Sequence, residues 1–416
     1  MKKITSNIFV RGGVLLTVSS VVVNVSNYLF YVLTAKTIGP RGYGEIVTLF
    51  SYLTILSIPF STIPSLLIRR LGYAGGVRLS VAKSFESWFL ERLARWWFII
   101  PLFFLVTFII PPITNLRLST SIILIFAVVV GVVASVYFSL LQGLRLFKES
   151  SILSVLTAFL KLSGVILVFF GLGSLNTIYV GIGISISIGV LYSYMVIKSL
   201  KVTSEKTTYT FKKGALSLIT NRATLLTSAS LLGITLIGNA DITIVKRVFS
   251  DTQAGMYGAW SLFAKTIFYV LGPVNTLALI YFSAQETQRN QKKVMALTLI
   301  VLLIIGIGAL FAYSTFTNHM IGIVLSKNFL DIAPVIPSAA IFGILYAGVN
   351  IMNTYFVAKK DNAQLVGFLT APIYIGCLLL FGKTMGQVIL INIFYASLLM
   401  GIFIFVFIRS NIKSYK

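Results

Sequence analysis

Charged residues lie inside long apolar stretches of this sequence, where a charge needs a partner or a water-filled cavity. Lys161 and Lys265 each lie mid-way along such a stretch, Asp241 lies in another, and Arg222 precedes Asp241 in the same stretch. A lysine or arginine at the centre of a bilayer costs at least about 2.5–3.5 kcal/mol on insertion scales, and residues of this kind mark substrate or ion pathways. They predict a cationic cavity that binds an anionic ligand, such as a pyrophosphate or an acidic sugar.

Each of these residues also has a structural interpretation. Asp241 and Lys265 would then form an ion pair that only joins two helices. Lys161 would belong to a helix-packing segment at 155–163. Arg222 would extend its side chain to the inner membrane surface, as long cationic side chains near helix ends do.

Two further pairs of residues suggest a cavity wall and moving parts. Asn24 and Asn27 are three residues apart, so a helix places them on one face, where they line a cavity or form hydrogen bonds between helices. Pro59 and Pro273 each lie within an apolar stretch, where proline kinks a helix and frees backbone carbonyls. We expect these two prolines to act as hinges; ordinary helix bending is the alternative.

The composition gives the class of protein that must position these residues. The chain has 416 residues, of which 57% are apolar and 11% are charged, against about 25% charged in soluble domains. The mean hydropathy is +0.96. These values exclude a soluble enzyme, a secreted domain and a disordered chain. The single cysteine, Cys377, and the single histidine, His319, exclude a disulfide framework and a metal site built from these residues.

Apolar stretches of about 17–25 residues predict membrane-spanning helices. They fall at 12–35, 44–68, 96–114, 119–141, 152–170, 175–197, 216–243, 256–282, 294–313, 333–357, 363–381 and 387–408. The sequence therefore predicts an all-α, polytopic membrane protein with twelve transmembrane helices.

The excess of basic residues predicts the orientation of these helices. There are 34 Lys and Arg against 10 Asp and Glu, a net charge of +24. With the N-terminus inside, 25 of the basic residues fall in inner segments, 7 in outer segments and 2 mid-helix. Because inner loops collect Lys and Arg, we expect both termini in the cytoplasm, and we read the charge as a topology signal rather than as a nucleic-acid site.

A weak internal repeat predicts two lobes. The sequence IGPRGYGE at 38–45 opens the second span, and AGMYGAW at 254–260 opens the eighth. An offset of 214 aligns Tyr43 with Tyr257 and Pro59 with Pro273. Six helices separate the copies, so the two halves have the same orientation, and a substrate site is expected between them. We predict a first lobe at 1–200 with helices one to six and a second lobe at 201–416 with helices seven to twelve.

The longest inner connections are 69–95 and 198–215. The first carries Phe85, Trp88, Phe89 and Trp96 among basic residues. This pattern predicts an amphipathic helix on the inner leaflet; a partly solvated linker is the alternative.

Four runs of sequence resemble a known family. They are NYLFYVLTAKTIGPRGYGEIVTLFSYLTILSIPF (27–60), LQGLRLF (141–147), NADITIVKRVFSDTQAGMYGAW (239–260) and IGIVLSKNFLDIAPVIP (321–337). In order and spacing they resemble the Wzx-like polysaccharide flippases of the multidrug/oligosaccharidyl-lipid/polysaccharide (MOP) superfamily. Some members have fourteen helices. Because twelve helices are predicted here, the resemblance implies that an accessory pair of lipid-binding helices is absent.

The resemblance implies a transporter rather than an enzyme. We expect it to flip a lipid-linked oligosaccharide, on a polyprenyl pyrophosphate, from the inner to the outer leaflet by alternating access, for cell-surface polysaccharide synthesis. Related exporters place a carboxylate on the seventh helix, so Asp241 is a candidate for a coupling cation, H⁺ or Na⁺. The expected protein is a monomer of the cell membrane, in contact with membrane lipids, without cofactor, metal or nucleic-acid partner.

Two alternative functions remain. A drug/cation antiporter of the same superfamily would favour acidic residues on the first helix, which has none. An integral-membrane glycan polymerase or ligase would need a large outer loop, and the predicted outer loops are short. No P-loop is present, so the chain is not expected to hydrolyse ATP itself.

Overall fold

A computed structural model describes residues 2–74, 77–200, 222–283 and 288–413. Within these ranges all regular secondary structure is helical. The α-helices are α1 Lys2–Tyr73, α2 Arg78–Arg95, α3 Ile99–Leu105, α4 Ile110–Thr114, α5 Leu118–Gly143, α6 Phe147–Phe169, α7 Leu175–Ser199, α8 Arg222–Val248, α9 Asp251–Ser283, α10 Gln288–Thr315, α11 Thr317–Val324, α12 Ile336–Lys359, α13 Val366–Phe381 and α14 Met385–Lys413. Short 3₁₀ helices lie at Val106–Phe108, Lys327–Val335 and Asn362–Leu365.

The all-α prediction is confirmed, and the chain is a multi-pass membrane protein. In the described ranges, nine helices are long and apolar enough to cross a membrane. Bilayers favour helices because each helix satisfies its own backbone hydrogen bonds where no water is available. Most of the helices follow the predicted spans within a few residues; the connection at 198–215 lies largely outside the described residues.

The first two predicted spans form one helix rather than two. α1 has 72 residues, and its backbone leaves helical geometry at Gly39, where φ is 64° and ψ is −176°. A straight helix of this length would measure about 108 Å at 1.5 Å per residue, far more than one membrane crossing. Gly39 adopts a conformation that other residues strongly disfavour, and the two spans are the arms on either side of it.

The predicted third span, 96–114, is not one continuous helix. It consists of α3, a 3₁₀ turn and α4, and it ends at Asn115 with φ of 58°. Pro111 and Pro112 lie at the start of α4, where proline is tolerated because the first backbone N–H groups have no helical partner.

The predicted inner helix exists, but its apolar face packs against protein. α2 contributes Val81, Ala82 and Phe85 to a buried cluster with Leu71 and Tyr137. Phe85 is only 5% exposed. The prediction that this aromatic face lies on the leaflet is therefore wrong for Phe85.

Contacts along the chain define two compact units. One comprises Met1–Thr37 and Leu56–Thr224, and the other comprises Ile38–Ile55 and Leu225–Lys416. In the first, α7 packs extensively on α5 and α6; in the second, α12 packs on α9, α10 and α14. The predicted lobes 1–200 and 201–416 place 38–55 with the first half, so the lobe division stays a prediction.

Close helix packing in the first unit depends on glycine. A Cβ on Gly181 of α7 would lie 2.9 Å from Cα of Gly164 on α6. The two backbones can approach this closely only because neither residue has a side chain, as small residues permit in membrane helices.

Candidate functional site

The first unit contains a cavity formed by α1, α5, α6 and α7. Its volume is about 400 Å³, within the range of small-molecule sites. The polar residues that line it are Asn27, Ser135, Ser154, Thr157, Lys161, Ser185 and Ser193, and the described lining residues include no carboxylate.

Lys161 provides the charge of this cavity. Its Nζ donates a hydrogen bond to Oδ1 of Asn27, and it lies 4.8 Å from the ring centroid of Phe30. A cation over an aromatic face is attracted by the ring quadrupole. α1 and α6 thus hold the ammonium group at the cavity wall.

The hydroxyl groups of the cavity are mostly oriented by their own helices. Ser135, Ser154, Thr157 and Ser193 each donate to a backbone carbonyl of the same helix, at 2.8–3.0 Å. Their protons are therefore engaged, and their oxygen lone pairs remain as acceptors. The cavity presents a cation together with several hydrogen-bond acceptors.

The sequence analysis missed these hydroxyl groups, although their spacing carries a signal. Ser154, Thr157 and Lys161 are three and four residues apart on α6, and Ser185 and Ser193 are eight apart on α7. These spacings place each set on one helix face. For the α6 residues, the sequence signal is a hydroxyl side chain at a helical spacing from Lys161.

The second unit contains a buried carboxylate, Asp241 on α8, which is 1% exposed. Its Oδ2 accepts hydrogen bonds from the Tyr257 hydroxyl and, at 3.0 Å, from Nδ2 of Asn392. The hydroxyl of Tyr374 donates to Oδ1 of Asn392 at 2.7 Å. Oδ1 of Asp241 is buried without a hydrogen-bond partner among the described residues.

Lys265 on α9 is half-buried, and its Nζ donates to Oδ1 of Asn239 at 3.2 Å. Within the part of the chain that the structure describes, no ion pair joins Lys265 to Asp241. The two helices are therefore not held together by a direct contact between these charges.

The remaining predicted residues lie outside the cavity around Lys161 and outside the hydrogen bonds of Asp241. Arg222 is exposed at the first residue of α8, and Asn24 is exposed and does not line the cavity that contains Asn27. Pro59 lies within α1 and Pro273 within α9, and both helices continue through them. The functional roles of all these residues stay predictions.

Comparisons with known proteins bear on the fold. The sequence matches no protein-family profile and no curated protein. Solved structures do resemble it. The lipid II flippase MurJ, in an inward closed conformation, matches with a TM-score of 0.68 and 13% identity over 95% of this chain and 87% of its own.

Two other transporters extend the comparison. A multidrug resistance MATE family transporter of the MOP superfamily, in an inward-facing conformation, has a TM-score of 0.70 and 13% identity over 94% of this chain and 95% of its own. A MOP superfamily transporter from Pyrococcus furiosus, described as having a binding pocket of reverse polarity, has a TM-score of 0.55 and 13% identity over 98% and 96%. The chain has the MATE- and MurJ-like transporter fold, and these structural neighbours are transporters of the MOP superfamily.

Proposed function

We propose that this protein flips a lipid-linked oligosaccharide, carried on a polyprenyl pyrophosphate, from the inner to the outer leaflet. Transport would occur by alternating access of the predicted lobes 1–200 and 201–416. The lipid tail would stay in the bilayer while the polar headgroup crosses through protein. Flippases and drug transporters share this fold, so the fold alone does not identify the substrate, and the proposal names one substrate class.

The observation that carries the proposal is the chemistry of the cavity in the first unit. Lys161 supplies a positive charge, and no carboxylate that would attract a cationic drug lies among the lining residues that the structure describes. The oriented hydroxyls are acceptors for the hydroxyl donors of a sugar. A movable ammonium group on a flexible stem suits a passing anion. The description of the Pyrococcus furiosus transporter provides a precedent for a pocket of altered polarity in this superfamily.

Lys265 would provide a second cation for the headgroup. It is half-buried in an apolar helix, and its contact with the neutral Asn239 does not neutralise its charge. A pyrophosphate in a low-dielectric space needs a nearby cation, because an isolated charge is costly to desolvate. Arg222 is exposed at the start of α8, where it would contribute to the initial attraction of the headgroup.

Asp241 would bind the coupling cation. One carboxylate oxygen already accepts two hydrogen bonds, and the other is buried and open to a proton or Na⁺. Hard cations bind oxygen ligands, and buried acids serve as proton relays in transporters. Asp241→Asn should abolish the dependence of transport on an applied Na⁺ or pH gradient, whereas the exposed Asp331→Asn should preserve it.

The same buried carboxylate supports a second candidate, a drug/cation antiporter. Such a transporter exchanges an organic cation for H⁺ or Na⁺ and also needs a coupling acid. The MATE neighbours have this type of description. The cavity around Lys161 argues against it.

The experiment that separates the two uses wild-type protein in liposomes. One assay measures the outer-leaflet appearance of a fluorescent polyprenyl-pyrophosphate oligosaccharide, and the other measures the export of tetraphenylphosphonium. We expect flipping above the rate of protein-free liposomes and no export of the cation. Cation export without flipping would contradict the proposal and support the antiporter.

A further inference from the structure

The cavity around Lys161 offers few hydrogen-bond donors, and this property narrows what it can bind. Lys161 is the one charged residue among the lining residues that the structure describes. Further donors are the amide nitrogen of Asn27, whose Oδ1 accepts from Lys161, and the hydroxyl of Ser185. The lining residues lie inside α1, α5, α6 and α7, past the first turn of each helix, so their backbone N–H groups are used within the helices.

The same lining is rich in hydrogen-bond acceptors. The hydroxyl protons of Ser135, Ser154, Thr157 and Ser193 are directed to backbone carbonyls of their own helices. The Thr157 hydroxyl is within hydrogen-bond distance of two carbonyls, those of Leu153 and Ser154, at 3.0 Å each. A hydroxyl that donates in this way keeps its oxygen lone pairs for a ligand. The cavity therefore combines one cation with several neutral acceptors.

This balance of donors and acceptors separates two anionic groups that a lipid-linked glycan can carry. A pyrophosphate bears more than one negative charge, and its oxygens only accept hydrogen bonds. Proteins bind such groups with several donors, from Arg, Lys or the backbone N–H groups of a helix N-terminus. An acidic sugar bears a single carboxylate, and its hydroxyl groups donate. The charge and the acceptors of the cavity match the acidic sugar, whereas acceptors placed around a pyrophosphate would repel it.

The wall that α7 contributes to the cavity consists of small side chains. Ser185, Gly189 and Ser193 are spaced by four residues, so they lie on one face of the helix. A Cβ on Gly189 would lie 2.9 Å from Cγ2 of Thr157, so a larger residue has no room there. Apolar side chains complete the lining and suit the C–H faces of a sugar ring; they include Val23, Phe138 and Ile186.

We infer that this cavity binds a sugar with a single carboxylate, such as a hexuronate, in the glycan of the transported lipid. Lys161 pairs with the carboxylate, and the oriented hydroxyls of α5, α6 and α7 accept hydrogen bonds from the hydroxyl groups of the sugar. The pyrophosphate is bound by other residues. The inference rests on the proposed function and goes further, because it states that the oligosaccharide itself is acidic.

A binding measurement tests the inference without the lipid carrier. Methyl β-glucuronide and methyl β-glucoside, which differ in the carboxylate, are titrated by saturation-transfer NMR against the full chain in phosphatidylcholine nanodiscs. The glucuronide should bind about tenfold more tightly, because a hydrogen bond to a charged group is the stronger kind. Lys161→Gln should remove this preference, and Lys161→Arg should keep it. Equal affinity of the wild type for the two sugars, or displacement of the glucuronide by inorganic pyrophosphate, would overturn the inference.

A second variant tests the acceptors separately from the charge. Thr157→Val keeps the shape of the side chain and removes its hydroxyl. It should weaken both sugars by a similar factor and leave the preference for the glucuronide unchanged. The exposed Lys327→Gln is the control and should bind both sugars as the wild type does. Wild-type affinity of Thr157→Val for both sugars would overturn the role of the hydroxyls.

A transport measurement separates this inference from the proposed function. Two polyprenyl-pyrophosphate trisaccharides are prepared that differ only in one sugar, glucuronic acid in the first and glucose in the second. The wild type in liposomes should flip the acidic lipid about tenfold faster, in line with the difference in binding. Lys161→Gln should lower its rate to that of the neutral lipid. Equal flipping of both lipids by the wild type would reject the acidic sugar and retain the proposed function. Glucuronide binding as expected, in a protein that flips neither lipid, would retain the sugar site and reject the proposed function.

Discussion

Glu45 and Lys246 form a buried ion pair with 2.7 Å between their charged atoms, and this pair makes a quantitative stability prediction. Lys246→Met removes the cation and leaves Glu45 as a carboxylate with 0% side-chain exposure. Loss of one partner from a buried pair costs about 3–5 kcal/mol, because the remaining charge stays desolvated. We expect the free energy of unfolding of Lys246→Met to fall by about this amount.

The ion pair between Arg41 and Asp251, 3.2 Å apart, supplies the matched control. Arg41→Ala also removes a cation that pairs with a carboxylate, but the Arg41 side chain is 71% exposed. Exposed pairs contribute about 0–1 kcal/mol, so the Arg41→Ala variant should unfold almost as the wild type does. Glu45→Gln should fall between the two, since Lys246 keeps its contact with Asp251.

The assay is reversible unfolding in mixed micelles, in which the fraction of sodium dodecyl sulfate is increased and helicity is followed by circular dichroism. The double variant Lys246→Met/Glu45→Gln should be more stable than Lys246→Met, because no unpaired charge remains buried. The reasoning is refuted if Lys246→Met and Arg41→Ala lose the same stability. It is also refuted if the double variant is less stable than Lys246→Met.

Three further predictions concern the fold and the sites. Gly39→Ala should destabilise the protein by about 1–3 kcal/mol in the same unfolding assay, because alanine disfavours the backbone angles at this kink. The control is the helical Gly401→Ala, which has open space around it and should not destabilise the protein. Equal losses of stability in the two variants would contradict the argument. Lys265→Ala should abolish flipping in liposomes, and Lys265→Arg should retain part of it. The double variant Lys265→Ala/Asp241→Ala should stay inactive, since the structure shows no ion pair between these two described residues. Recovery of flipping in the double variant would support the interpretation that the two residues only join two helices. A cysteine at Lys383 should react with an impermeant thiol reagent from outside intact cells, and labelling only after lysis would reverse the topology predicted from the loop charges.

Hydropathy predicted most of the architecture because the bilayer leaves few alternatives for an apolar chain. It did not predict the continuous helix α1, because the sequence IGPRGYGE is typical of a turn, whereas the structure keeps helix on both sides of a single residue, Gly39. It also could not show that Phe85 faces protein rather than lipid. Both environments are apolar, so the residue type does not distinguish them.

The candidate sites were predicted in part for the same physical reason. The cost of a charge in an apolar span singled out Lys161 and Asp241, and the structure gives each a polar environment. For Lys265 the structure shows a hydrogen bond to Asn239 and no direct contact with Asp241, so its role stays a prediction. Asn392 lies far along the chain from Asp241, and no local pattern connects them.

The ion pair between Glu45 and Lys246 shows the limit of reasoning from local sequence most clearly. Lys246 lies three residues beyond the predicted span 216–243, yet the structure buries its side chain completely against Glu45. Only tertiary packing brings these two residues together, because they are about 200 positions apart in the chain.

The central claim is that the cations of the two units serve an anionic lipid-linked substrate. Its most direct test measures the rate at which a fluorescent polyprenyl-pyrophosphate oligosaccharide is flipped in liposomes. The variants Lys161→Gln and Lys265→Gln are compared with the wild type and with Lys327→Gln, which changes an exposed lysine. The account predicts that both site variants lose flipping while remaining folded, and that Lys327→Gln retains the wild-type rate. Wild-type flipping by both Lys161→Gln and Lys265→Gln would contradict it.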